Sequence, residues 1–185
     1  MLLDSLKYFS WYNEPNNVRF VENGMQIDTK PQSDFWQNSF HNIKKDDGHF
    51  FYCEKNGDFS VIAQWSFDNM IASDQCGLML RIDERNWMKV SILSPDMRNI
   101  QIGAVVTSNG NSDWSSHFLD SLPKEIWFKA IRQNNDYGAF YSLDGVSFHQ
   151  VRMFTLLPSN NTIKVGAYAC SPQNRSFTCV LNNFS

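Results

Sequence analysis

The sequence has no basic excess: 16 lysines and arginines stand against 19 aspartates and glutamates, giving a formal charge of −3 and a pI near 5.7. A nucleic-acid footprint shows as a cationic surplus or stripe, so nucleic acid is not an expected partner. Nor is there an apolar run approaching the roughly 18 residues of a membrane span. The start, MLLDSLKYFSWYNEP, sets Asp4 and Lys7 inside what would have to be the apolar centre of a secretion signal. No membrane association is expected, and the chain reads as cytoplasmic with reduced thiols. The sequons at Asn160, Asn174 and Asn183 then carry no meaning. The four cysteines, Cys53, Cys76, Cys170 and Cys179, form no CxxC, and no histidine stands at metal-ligand spacing. Neither a metal site nor a cofactor is signalled. Cys170 and Cys179 flank an expected hairpin loop, where a disulfide is geometrically allowed if the protein is exported. Helical periodicity with caps is missing throughout.

What the chain does have is aromatic residues and two-residue alternation. Aromatics make up 15% of the sequence, with 15 Phe, 6 Trp and 6 Tyr, a composition suited to strands and a stacked core. The 185 residues fit one domain, 1–185. The organising stretch is DQCGLMLRIDERNWMKVSI, Asp74 to Ile92. Leu78, Leu80 and Ile82 alternate with Met79 and Arg81, and past a short polar connection Met88, Val90 and Ile92 alternate with Trp87, Lys89 and Ser91. This is a β-hairpin with one aliphatic face to bury. Its other face mixes Arg81 and Lys89 with Met79 and Trp87, and is the place to look for function.

Further strands are expected at Val18–Val21 and Gly24–Asp28 around the turn dipeptide Asn23-Gly24, at His49–Glu54, and at Phe59–Phe67. The strand FSVIAQWSF puts Val61, Ala63 and Trp65 on one face and Ser60, Ile62 and Gln64 on the other. Others fall at 99–106, after Pro123, on both sides of Asp144-Gly145, and around Val165 and Leu181. The lead-in from Leu3 to Asn16 reads as extended. Two stretches read as loops: 29–47, which holds Phe35, Trp36 and Phe40, and TSNGNSDWSS, 107–116, with Trp114 near its end. So many strands split into two packed layers, an antiparallel double-sheet sandwich.

The landmarks SDFW at 33–36, GDFSV at 57–61, DQCGLMLRID followed by NWMKV, VVTSNGNSDWS at 105–115, IWFKAIR at 126–132, YSLDGVSF at 141–148 and VGAYACSP at 165–172 come in a familiar order. The chain resembles an uncharacterised regulation-of-enolase-type family of the concanavalin A-like lectin and glucanase superfamily, itself similar to the sandwich module appended to some β-xylosidases. The resemblance implies a jelly-roll sandwich with one concave sheet, and no defined reaction. It draws attention to Asp34, Trp36, Asp74, Gln75, Arg81, Lys89, Asp113, Trp114, Arg132 and Asp144. Asp144 reads as setting its turn and Asp74-Gln75 as tying a loop to a strand end. Phe148 stands where the related modules often carry Trp.

Retaining glycoside hydrolysis asks for two carboxyls about 5–5.5 Å apart. No Asp or Glu here has an acidic neighbour two positions away, and the E-x-D-x-x-E pattern of the glucanases is absent. Adjacent-strand pairs such as Asp34 with Asp113 remain as the hydrolase reading. His41, His49, His117 and His149 have no flanking nucleophile motif. Arg81 and Lys89 suit an anionic ligand or cross-strand partners equally. Trp36, Trp87 and Trp114 suit stacking on the apolar face of a sugar. The expected ligand-binding set is therefore Asp34, Trp36, Gln64, Arg81, Trp87, Lys89, Asp113 and Trp114, with no catalytic or metal-ligating residue. A saccharide, neutral or acidic, is the expected ligand, and a protein partner meeting the same aromatic patch is the alternative.

Overall fold

The computed structural model describes residues 6–40, 42–96, 99–157 and 161–185. The first residues of the expected Leu3–Asn16 lead-in, His41 and the sequon at Asn160 lie outside them. The fold is an antiparallel two-sheet sandwich of concanavalin A-like type. Numbered in chain order, the first sheet runs β1 (Ser10–Tyr12), β6 (His49–Asn56), β15 (Thr162–Cys170), β8 (Gln75–Asp83), β9 (Asn86–Leu93), β10 (Ile100–Ser108), β11 (Asn111–Leu119). The second runs β14 (His149–Thr155), β13 (Asp136–Ser142), β12 (Glu125–Gln133), β7 (Phe59–Ser66), β16 (Thr178–Phe184), β3 (Gly24–Asp28), β2 (Asn17–Val21). A short ribbon, β4 (Phe35–Gln37) with β5 (Lys44–Asp46), stands apart from both. Among the described residues no helix is long and apolar enough to cross a membrane.

The hairpin of β8 and β9 lies at the middle of the first sheet, with Leu78 opposite Val90 and Leu80 opposite Met88. Its aliphatic face packs on Val61, Ala63, Trp65, Phe128 and Leu181 of the second sheet, all fully buried. Trp65 also donates its indole N–H to the carbonyl of Gly77, 3.2 Å away, so a polar handle deep between the layers is satisfied.

Two expectations about connections change. The segment 107–116 is mostly strand: Asn109 and Gly110, both at positive φ (52° and 79°), form a two-residue turn, and β11 pairs with β10 over its full length. At Lys55-Asn56-Gly57-Asp58 the chain crosses between layers, since β6 belongs to the first sheet and β7 to the second. The same holds for β15 and β16, so Cys170 and Cys179 flank a crossover between layers. All four cysteines are free.

The mixed face of β8 and β9 is also covered. The ribbon crosses it from β15, where Ser33 N–H donates to Ser171 O, to the β10–β11 turn, where Asn38 Nδ2 donates to Gly110 O at 2.7 Å. Phe35, fully buried, sits on Trp87, Tyr168 and Tyr12 with ring centroids 6.1 to 6.4 Å away. Together with Phe50, Met79 and Val105 these rings make a second apolar cluster outside the main core.

Candidate functional site

The two cations of the mixed face take their partners from the ribbon. Arg81 makes a fork of two hydrogen bonds to Asp46, Nη1 to Oδ1 at 2.7 Å and Nη2 to Oδ2 at 2.8 Å, and its guanidinium lies 4.4 Å from the Tyr12 ring centroid. The Tyr12 hydroxyl donates to Asp46 Oδ2 at 2.6 Å and accepts from Arg81 Nη2 at 3.2 Å. Burial and this bond to Asp46 raise the Tyr12 phenol above its ordinary range. Arg81 is thus consumed by structure. Trp87 is equally enclosed, under Phe35, with its N–H donated to Glu84 O.

Beside the ribbon the face opens into a cleft of about 260 Å³. Lys89, Ser91, Gly103 and Val105 form its floor, Asp34, Trp36 and Ile43 belong to the ribbon side, and Trp114 stands on the edge strand. Lys89 is only 3% exposed, and its ammonium donates to Asp34 Oδ1 at 2.8 Å. That same oxygen accepts the Phe35 N–H at 2.7 Å and faces the Cys170 thiol at 3.6 Å. Among the described residues Oδ2 of Asp34 accepts no hydrogen bond, and the side chain keeps contact with solvent. Burial first, and then the Asp34 carboxylate, push the Cys170 thiol far above its usual range, so it stays a protonated donor. Tyr168, likewise held neutral by burial, donates to Gln75 Oε1 at 3.1 Å behind the floor.

Trp36 donates its indole N–H to Ser39 O at 2.9 Å, which fixes the ring on the ribbon. Trp114 is 48% exposed. The cleft therefore combines an exposed indole, a carboxylate oxygen directed to solvent, serine and glutamine groups, and an internally neutralised ion pair.

Of the eight residues singled out from the sequence, Asp34, Trp36, Lys89 and Trp114 line this cleft. Arg81 and Trp87 lie beneath the ribbon. Gln64 and Asp113 are not brought here. Gln64 is on the outer face of the second sheet, paired with Glu125 at 3.2 Å. Asp113 opposes Val106 on the other side of β11 from Trp114 and bonds Arg152 at 3.0 Å across the seam between the sheets. The pair Asp34 with Asp113 is accordingly not on one face. Sequence reasoning missed Gln75, Ser91, Gly103 and Leu93 as cleft residues. Ser91 was visible by its parity with Lys89. Among the described residues no group of three His, Cys, Asp or Glu side chains could hold a metal ion.

Comparison with known proteins sets this geometry in a family. Regulation of enolase protein 1 from Saccharomyces cerevisiae is 29% identical over 179 residues, 95% of this chain and 87% of the yeast one. The crystal structure of a functionally unknown protein from Saccharomyces cerevisiae matches with a TM-score of 0.90 at 26% identity, over 97% of this chain and 96% of that one. The GH43 protein BlXynB from Bacillus licheniformis shares the fold, with a TM-score of 0.75 at 14% identity, over 96% of this chain and 36% of that one. Residues 11–185 match the family described as protein of unknown function (DUF1349), and the chain belongs to that family.

Proposed function

We propose that this protein is a binding module without catalytic groups of its own, and that the cleft beside the ribbon takes a saccharide. The observation that carries the reading is Trp114, half-exposed on an edge strand and lining one cleft with Asp34. An indole offers a flat apolar surface to a sugar ring, and a carboxylate with serine and glutamine groups accepts and donates to its hydroxyls. Asp34 is the one acidic residue lining the cleft, whereas glycoside hydrolysis works through two. Isothermal titration against a panel of neutral and acidic oligosaccharides tests the reading, with Trp114→Ala as the control once its fold is checked. Binding at millimolar or better that the substitution removes supports it. No binding by the folded wild type at that concentration sinks it.

A second reading is favoured by Phe40, which is 97% exposed at the ribbon tip at a positive φ of 65°, and by the name of the yeast relative. A bulky ring held out in that conformation suits a protein contact, such as a regulatory one with enolase. Capture of enolase that survives excess sugar and is lost in Phe40→Ser would favour this reading over the first.

A further inference from the structure

We infer that the ligand of this cleft is a neutral, linear oligosaccharide several sugar units long, laid along β11 from Trp114 to Phe118. The inference rests on the saccharide reading and narrows it. Its first support is the register of β9, β10 and β11, which places side chains of one face in cross-strand rows. Lys89, Val105 and Trp114 form one row, Ser91, Gly103 and Ser116 the next, and Leu93, Gln101 and Phe118 the third. Trp114 and Phe118 therefore stand on the same face four residues apart, about 14 Å at the rise of an antiparallel strand. Both are exposed, at 48% and 68%. The two rings offer successive platforms along one strand, which a chain of sugar units following that strand meets in turn.

The row between them is made of small residues. Gly103 has no side chain of its own, so the Trp114 indole and a Leu93 methyl lie over it, with the hydroxyls of Ser91 and Ser116 to either side. The indole is thus spread over this row toward Phe118. Because β11 is the edge strand of its sheet, a chain following it meets no further strand on that side.

The second support is charge. Lys89 is the one cation lining the cleft, and Asp34 already neutralises it at 2.8 Å. What the pair presents outward is the second carboxylate oxygen of Asp34. A ligand carboxylate would face that oxygen without a free cation to receive it, while a neutral hydroxyl donates to it. Uronic-acid chains are therefore disfavoured.

The test titrates neutral β-1,4-linked gluco- and xylo-oligosaccharides, from disaccharide to hexasaccharide, and oligogalacturonates of the same lengths. Affinity is expected to rise with length in a neutral series, and the acidic series to bind at least tenfold more weakly. Phe118→Ala, a surface change checked by thermal unfolding, should lower hexasaccharide affinity about tenfold, in keeping with the loss of one stacking contact, and leave the disaccharide unchanged. Asp34→Asn should narrow the gap between acidic and neutral ligands. Equal affinity at all lengths, a silent Phe118→Ala, or oligogalacturonates binding as tightly as neutral chains would overturn the inference while leaving saccharide binding in place. Absence of binding to every sugar would overturn the saccharide reading itself and this one with it.

Discussion

The indole of Trp114 lies over Gly103 of the neighbouring strand: a Cβ added to that glycine would stand 2.8 Å from the indole nitrogen and 2.8 Å from a methyl carbon of Leu93. Both neighbours are outer ends of side chains, so a methyl group there displaces them without moving backbone. Gly103→Ala should change stability by no more than about 1 kcal/mol, since alanine also restricts the unfolded chain. It should shift the tryptophan emission spectrum and weaken sugar binding at least tenfold. A loss of binding accompanied by a large drop in unfolding midpoint would instead make Gly103 a structural position, contrary to this account.

The tautomer of His49 is fixed from both sides. Its Nε2 accepts the Lys30 N–H at 2.8 Å, and its Nδ1 lies 2.7 Å from Asn13 O, a contact only a protonated Nδ1 can satisfy. Burial lowers its pKa below the ordinary 6.5, and a second proton would cost the bond from Lys30. Below about pH 6.5 the unfolded chain takes up a proton that the folded protein refuses, so stability falls as pH falls. The fall has a limiting slope of about 1.4 kcal/mol per pH unit and ends once the folded value is passed. Above pH 6.5 this contribution is fully present. His49→Gln keeps a donor and an acceptor but does not titrate. Urea unfolding from pH 7.5 downward should therefore show a steeper decline for the wild type than for the variant. Parallel declines would remove His49 from the explanation.

The β8–β9 hairpin was legible because it is buried on one side by strict alternation, and parity alone placed Arg81 and Lys89 on the opposite side. The strand β11 was not legible as a strand. An edge strand with its outer face in water needs no apolar alternation, and Asn109-Gly110 was the signal within 107–116 that two strands meet there. The ribbon was legible only as an aromatic loop. Its position over β8 and β9 depends on contacts such as Arg81 with Asp46, thirty-five residues apart in the chain, and such pairs leave no periodic trace. Parity put Gln64 on the outside of its sheet, but which sheet that was depended on the β6–β7 crossover. Asp113 follows the opposite parity from its neighbour Trp114, so the two could not serve one site.

The fork between Arg81 and Asp46 yields the last prediction. Five interactions meet there: two charged hydrogen bonds from Arg81 to Asp46, one from Arg81 to the Tyr12 hydroxyl, the bond from that hydroxyl to Asp46, and the guanidinium over the Tyr12 ring. The Arg81 side chain is 4% exposed and Asp46 25%, so removing the carboxylate leaves a buried cation without a counter-charge, held by Tyr12 alone, while water still reaches the aspartate side. Asp46→Ala should then destabilise the protein by about 3 kcal/mol, at the lower end for a broken buried pair. Arg81→Lys should lose much of the same energy, because an ammonium offers no planar fork to the carboxylate and stacks poorly on the ring. The joint replacement Arg81→Met with Asp46→Leu should be less costly than the sum of the single changes, since no charge is left stranded. Urea unfolding of the wild type and these variants, with Arg81→Met and Asp46→Leu made singly as well, measures all three values. A cost below about 1 kcal/mol for Asp46→Ala would mean that the pair behaves as a solvated surface salt bridge and does not hold the ribbon down.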